Sequence, residues 1–465
     1  MGETFMAPAF KKRGISPAQI LVFGFGGMIL IGAFLLSLPA AVADGQSLRF
    51  FDALFTATSA VCVTGLSVFN VGATLSLFGQ VILLVLIQLG GIGFMTMTSL
   101  LYMMIGRRFT LRDRLIIQNS MTQNSVSDSR LQGVVRMTRD IVVMTAVIEL
   151  CVFLAYAARF VPLFGVSRGL YCSIFQAVSS FCNSGFDVFG AGTGLQPYLG
   201  DPVIYIATIS AMSLGGIGFY VLLDLYRKLR NKRHRFMLHT KTVLCVSLFL
   251  VALGFALFLL FEHNNPRTLG RDDVPIQDKA SWALFHSVSA RTAGFAAVPQ
   301  GDLTPASKIL TVIYMFIGAS PSGTGGGIKT TTVALMLLFI FSIIRGRDDV
   351  ILFGRRIDNA VVLRSVAIVA LGILFVFTAI IIVSLIEYER PITLSDTIYE
   401  VVSSFGTVGM TSAVTANFTD ASRAVFIILM YGGRVGIFTF TMALAARLEN
   451  RSSRVRYPKD RIMIG

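Results

Sequence analysis

Along this chain apolar residues come in long blocks separated by short polar gaps. Runs of about 20 apolar residues, the length that carries a helix across the hydrocarbon of a bilayer, occupy 17–39, 72–105, 139–161, 201–226, 241–262, 305–344, 361–387 and 420–446. Eight crossings are predicted. Between the two members of each successive pair lies a shorter apolar segment, near 50–62, 170–182, 279–290 and 394–405. These are too short to cross, and each ends on a tripeptide closed by glycine. The tripeptides are Val63, Thr64, Gly65; Asn183, Ser184, Gly185; Thr292, Ala293, Gly294; and Thr407, Val408, Gly409. Their glycines stand 120, 109 and 115 residues apart, the mark of one unit used four times. The predicted fold is an all-α membrane protein: eight transmembrane helices in four helix, re-entrant pore loop, helix repeats around a central pore. Repeat boundaries are expected at 1–135, 136–238, 239–358 (with a special loop at 318–330) and 359–465.

Composition supports a membrane protein and excludes an enzyme built on a large water-soluble domain. Of the 465 residues 54% are hydrophobic and 14% charged, with a mean hydropathy of +0.73, too little polar surface to coat a soluble globule. The net charge of +15 would suggest nucleic acid in a soluble protein. Here the basic residues cluster in the gaps, at Lys11–Arg13, Arg107–Arg114, Arg227–Arg235, Arg345–Arg356 and Arg447–Arg461, where they orient helices. Most Lys and Arg then fall on one face, which places both termini in the cytoplasm and brings all four re-entrant segments in from outside. No cleavable signal pattern follows Lys11–Arg13. The stretch Gly106–Asp140 reads equally as an interfacial amphipathic piece or a plain linker. The short tail after the last crossing leaves no room for a regulatory domain. Five scattered cysteines, Cys62, Cys151, Cys172, Cys182 and Cys245, read as small apolar packers. His234, His239, His263 and His286 show no metal-ligand spacing, and His286 reads as a hydrogen-bonded packing residue.

Four glycine-containing loops meeting on one axis suit passage of a small cation. Dehydration of such an ion is costly, and a ring of backbone carbonyls replaces the lost water. Small residues leave that backbone near the axis, and the C-terminal ends of the four short helices direct partial negative charge at it. The third repeat is one residue shorter and carries Arg291 where the first two carry Cys62 and Cys182.

A second recurring element follows each tripeptide: GGIGF from Gly90, GGIGF from Gly215, GGRVGI from Gly432, and in the third repeat GASPSGTGGGIKTTT from Gly318 to Thr332. Glycine at this density breaks a helix, so the third crossing of this kind is expected as two half-helices joined by a movable segment. Its candidate gate residues are Gly318, Ser320, Gly323, Thr324, Gly325, Gly326, Gly327 and Lys329. A phosphate loop is excluded, because Ile328 rather than glycine precedes Lys329 and no strand leads into it. Arg434 lies inside an apolar run, so it should face the interior or pair with an acid; a pore-facing role is favoured over an ion pair with Glu149. Lys329 is placed where it can also snorkel to the cytoplasmic interface.

The tripeptides, the LGGIGF repeats, the glycine-rich loop and Arg434 together resemble the Trk/Ktr/HKT superfamily of potassium transporters, with short termini most like the Ktr-type membrane subunit. The resemblance implies potassium uptake, with the ion held by filter carbonyls of Val63, Asn183, Thr292 and Thr407; glycine at 65 goes with potassium, serine there with sodium preference. It also implies that 318–330 is an intramembrane gate, that Arg434 lies beneath the filter, and that the subunit is a homodimer with one pore per protomer. Control by a separate cytosolic ring of RCK-type nucleotide-binding subunits is implied as well. Sodium often activates Ktr systems, though no sodium site is locatable in these residues. No organic cofactor and no nucleic-acid partner are expected. The alternatives are an ion-coupled secondary carrier and an intramembrane enzyme, for which no catalytic constellation recurs.

Overall fold

The computed structural model describes residues 17–93, 133–190, 194–271, 275–347, 349–412 and 415–437. Lys11–Arg13, Arg107–Arg114, Arg447–Arg461 and most of Gly106–Asp140 lie outside the described residues. Within them the chain is helical apart from one hairpin, β1 (Ile351–Leu352) with β2 (Arg355–Arg356). A helix, pore helix, helix unit recurs four times. The first comprises α1 (Pro17–Leu36), the pore helix α2 (Phe50–Val61) and α3 (Leu77–Ile92). The second has α4 (Gly133–Phe164), the pore helix α5 (Val166–Cys182), then α6 (Pro202–Ile217) and α7 (Phe219–Arg230). The third has α8 (Leu238–Glu262), the pore helix α9 (Ile276–Ser289), then α10 (Pro305–Phe316) and α11 (Thr330–Ile344); the fourth has α12 (Asn359–Ile386), the pore helix α13 (Leu394–Gly406) and α14 (Asp420–Val435).

The first helix of each unit is long and apolar enough to span a bilayer. Phe34, Leu154, Phe249 and Phe377 on these helices face outward, while Thr56, Ser179, His286 and Glu400 of the pore helices are buried. Large apolar side chains on the outer surface, with polar ones among the buried residues of an otherwise apolar core, fit hydrocarbon as the surrounding solvent.

Two of the second helices are not simple crossings, and the later parts of the expected crossings at 72–105 and 420–446, beyond 93 and 437, lie outside the described residues. The expected crossing at 201–226 is broken: α6 and α7 meet at 104° across Gly218, whose φ of 102° a side chain would resist. Gly93 and Gly436, with φ of 90° and 88°, end α3 and α14 in the same way. The expected crossing at 305–344 is split into α10 and α11, with 317–329 between them.

Hydrogen bonds fix the second helices of the third and fourth units to their own first helices, and each second helix to the next pore helix. Glu262, ending α8, accepts from Thr304 N at 2.9 Å and Thr304 Oγ1 at 2.8 Å, and Glu387, after α12, accepts from Thr419 N at 2.9 Å and Thr419 Oγ1 at 2.6 Å. Thr304 and Thr419 are N-caps of α10 and α14, so one carboxylate satisfies donors that a helix start leaves free. Between units, Tyr171 Oη donates to Gln80 Oε1 at 2.8 Å and Tyr205 Oη to Ser281 O at 2.9 Å, and Lys308 pairs with Asp396 at 3.3 Å. The last seam joins the fourth unit to the first: Arg423 reaches Asp52 at 3.3 Å and Arg49 reaches Asp420 at 3.1 Å. The four units therefore close into a ring in chain order.

Candidate functional site

The pore helices all end at the tripeptides, so the negative ends of four helix dipoles converge there. The first residue of each tripeptide is left-handed, with φ of 57° at Val63, 59° at Asn183, 77° at Thr292 and 50° at Thr407. Each glycine is left-handed too, at 94°, 71°, 82° and 93° in chain order, and the residues between them are not. Alternating handedness turns successive carbonyl oxygens toward one side of the strand. Non-glycine residues hold this conformation only where the surroundings enforce it.

The glycines form a closed ring. A β-carbon added to Gly65 would strike the Ser184 carbonyl oxygen and lie 3.0 Å from Gly185 Cα; on Gly185 it would lie 3.1 Å from Gly294 Cα and 3.3 Å from Ala293 O. On Gly294 it would strike Val408 O and lie 3.4 Å from Gly409 Cα, and on Gly409 it would strike Thr64 O and lie 3.1 Å from Gly65 Cα. All four tripeptides are thus brought together. The carbonyls of Thr64, Ser184, Ala293 and Val408 stand at this ring, one residue further along than the oxygens nominated from sequence.

Four serines that sequence reasoning passed over hold the loops. Thr64 N, Ser184 N and Val408 N donate to the carbonyls of Ser59, Ser179 and Ser403 at 2.7, 2.9 and 2.9 Å, and Ala293 N donates to Ser289 O at 2.9 Å. The Ser59 and Ser403 hydroxyls accept from Gly65 N at 3.0 Å and Gly409 N at 3.2 Å, while the Ser179 and Ser289 hydroxyls donate to Phe186 O and Phe295 O, both at 2.5 Å. The available signal was positional: a serine six, six, five and six residues before the ring glycine, the five falling in the shortened third repeat.

The glycine-rich segment after α10 crosses directly behind this ring. Ser320 N and Thr324 N donate to Gly216 O and Gly215 O, both at 3.1 Å, and Thr324 Oγ1 to Phe181 O at 3.2 Å. Gly326 N donates to Thr407 Oγ1 at 3.1 Å. A β-carbon on Gly325 would run into Thr292 Oγ1, and one on Gly326 into the Thr407 side chain. Gly318, Gly323 and Gly327 have backbone within 3.1 Å of where their β-carbons would stand, and Ser320 Oγ meets Thr330 Oγ1 at 3.1 Å. Arg434 joins the segment to the first unit: its guanidinium donates to Thr324 O and Gly90 O and, at 3.4 Å, to Gly91 O. The expected gate residues and Arg434 are one assembly touching all four units.

A model of the TrkH family, described as a cation transport protein, matches residues 19–455. The chain belongs to the TrkH family of cation transport proteins. It is 35% identical over 450 residues to the Ktr system potassium uptake protein B of Bacillus subtilis, covering 97% of both chains. It is also 35% identical over 466 residues to the potassium/sodium uptake protein NtpJ of Enterococcus hirae, covering 99% of this chain and 100% of that one. Its fold is similar to the crystal structure of the potassium transporter TrkH from Vibrio parahaemolyticus, with a TM-score of 0.70 and 18% identity, over 96% of this chain and 88% of that one. The family is one of multi-pass membrane transporters and not of enzymes.

Other residues of this TrkH-family chain fall away from the ring or beside it. Arg434 makes no ion pair with Glu149, whose carboxylate instead accepts from Gln88 Nε2 at 3.0 Å. Lys329 does not snorkel: its Nζ donates to Gly325 O at 2.7 Å within the segment. His286 stacks on Phe258 at 3.9 Å and meets Thr311 Oγ1 at 2.9 Å, the packing role expected of it. Cys62, Cys172 and Cys182 are buried packers, but Cys151 and Cys245 are exposed on the outward faces of α4 and α8. Asp187, two residues past Gly185, is half-buried; burial pushes its carboxyl above the usual range, opposed by the Phe189 N–H. Among the described residues no group of His, Cys, Asp or Glu is arranged to hold a metal ion.

Proposed function

We propose that this chain takes up potassium through a selectivity filter formed by the four tripeptides, whose backbone oxygens replace the water around the ion. The observation that carries this reading is the closed glycine ring: side-chain-free, faced by carbonyls of successive units and by the ends of four helix dipoles. The names of both relatives include potassium, and one adds sodium. The segment 318–330 is the gate on this reading, because it packs behind the ring and is tied there by Arg434, Thr407 and the carbonyls of Gly215 and Gly216. The Bacillus subtilis relative is named as part of a Ktr system. On that likeness we infer a homodimer in the cell membrane, cytoplasmic termini, and control by a cytosolic ring of RCK-type nucleotide-binding subunits, with sodium as an activator.

The test is uptake of potassium and of sodium by proteoliposomes holding the purified chain, with and without candidate cytosolic partners. Potassium uptake driven by an imposed membrane potential and competed only weakly by sodium is expected, with Gly65→Ser weakening the discrimination. Unchanged selectivity in Gly65→Ser would remove the filter assignment. Strict stoichiometric coupling to sodium or protons would favour a secondary carrier.

A further inference from the structure

Behind each tripeptide the pore helix buries one polar residue at an equivalent place, three residues before the loop-holding serine. These are Thr56, Gln176, His286 and Glu400, exposed by 0%, 1%, 2% and 0%. Three stay within their own unit's helices. Thr56 Oγ1 donates back to Asp52 O at 2.9 Å, Gln176 Nε2 to Ser180 Oγ at 3.2 Å, and His286 Nε2 meets Thr311 Oγ1 of α10.

Glu400 reaches out to the strand that leaves the ring. Its Oε1 accepts from Thr411 Oγ1 and its Oε2 from Thr415 Oγ1 at 3.0 Å, with the two hydroxyls 3.0 Å apart. Those threonines lie two and six residues beyond Gly409. The preceding residue braces the neighbouring loop in the same way: Tyr399 Oη donates to Gln300 Oε1 at 2.8 Å, and Gln300 lies six residues beyond Gly294. Glu400 makes no ion pair among the described residues, and the nearby Lys308 is engaged by Asp396. A buried carboxylate without a counter-ion is an expensive group to retain. Here both of its oxygens are spent on holding one short segment at the mouth of the ring.

We propose that Glu400 is a selectivity-setting positioning residue, which fixes the exit strand of the fourth loop through Thr411 and Thr415 and thereby the spacing of the carbonyl ring around a dehydrated monovalent cation. It acts through that strand and does not touch the ion. The proposal rests on the filter reading above. Among the described residues a carboxylate makes this brace in the fourth unit alone, whose Gly409 meets Gly65 at the seam between the last unit and the first.

The test measures rubidium uptake and its competition by sodium in proteoliposomes of the full chain carrying Glu400→Ala, Glu400→Gln or the Thr411→Val/Thr415→Val pair, with amount and thermal midpoint of folded protein recorded for each. Glu400→Ala is expected to lower potassium-over-sodium discrimination by about tenfold and to raise the apparent KM for rubidium. Glu400→Gln, which keeps one acceptor oxygen, should fall between it and wild type. The threonine pair should reproduce Glu400→Ala, and adding Glu400→Ala to it should change nothing further. If Glu400→Ala does not fold, the threonine pair decides. Variants that lower only yield or thermal midpoint and keep wild-type discrimination would overturn the proposal. Gly65→Ser serves as the reference: if it alters discrimination while the Glu400 and threonine variants do not, the brace is wrong and the filter stands. If Gly65→Ser is silent as well, the filter reading itself has failed.

Discussion

Replacing each ring glycine in turn by alanine separates two costs that glycine avoids. All four have φ between 71° and 94°, where a β-carbon costs about 1–2 kcal/mol, so every variant bears that burden. At Gly65, Gly294 and Gly409 the added carbon also drives into a main-chain carbonyl oxygen, of Ser184, Val408 and Thr64 respectively. Main chain cannot swing aside as the end of a side chain does, and displacing packed structure adds about 1–3 kcal/mol. At Gly185 the nearest atom is Gly294 Cα at 3.1 Å, a contact that a few tenths of an ångström relieves. Gly185→Ala should therefore be the mildest of the four. If the extra cost at the other three falls on the dehydrated-ion position, it corresponds to about 5- to 150-fold in potassium-over-sodium discrimination. Rubidium uptake competed with sodium, at equal loading of folded protein, reads that ratio directly. Gly185→Ala losing as much discrimination as Gly65→Ala, or all four retaining the wild-type ratio, would refute the reasoning.

Three further outcomes follow from the same geometry. Arg434→Ala removes the donors that tie Thr324 to Gly90 and Gly91 and should raise potential-driven flux; Arg434→Lys, a point charge without the planar fork that spans two units, should fall between it and wild type, and flux falling in both would reverse the assignment. Gly326→Ala places a carbon against Thr407, so the segment cannot seat and flux should rise without loss of discrimination, both read in the same uptake assay. Glu387→Ala leaves Thr419 and Ser422 donors at the start of α14 unanswered and should cost about 1–3 kcal/mol of stability, seen as a lower thermal midpoint with selectivity unchanged.

The tripeptides were legible in the sequence because their signal is local and occurs four times, each at the end of an apolar segment too short to cross. The partners of Arg434 were not. Its bonds go to main-chain oxygens of Gly90 and Thr324, 344 and 110 residues away, and a carbonyl leaves no mark on residue identity. Glu149 offered the only visible counter-charge, and Gln88 has it instead. Hydropathy also ran straight across Gly218, since a window average cannot see a single left-handed residue, and the predicted crossing at 201–226 proved to be two helices at 104°. Register in the fourth repeat was one residue out: the motif was read from Gly432, but Gly433 is the glycine whose added carbon would strike a pore-helix carbonyl, Phe405 O, as Gly90 would strike Val61 O and Gly215 would strike Phe181 O. That shift puts Arg434 in the place held by Gly91 and Gly216.

On the function proposed above, the asymmetry of the third unit is better explained by a gate than by the filter. In the other three units a second-helix glycine presses on the last turn of its own pore helix, which holds helix and loop together. In the third, α10 stops at Phe316, and Gly318 packs on Gly326 of its own segment instead. The chain is thereby released from its own pore helix and free to run sideways onto Gly215, Gly216 and Thr407 of the neighbouring units. Its glycines are needed because the space left between those backbones admits no side chain. A ring that selects works best with four equal contributors, whereas a segment that opens and closes the path has to come from one of them. Four copies of one unit, with a single copy's second helix unwound, satisfy both requirements, and on the proposed function this accounts for the glycine-dense stretch occurring once while the tripeptide occurs four times.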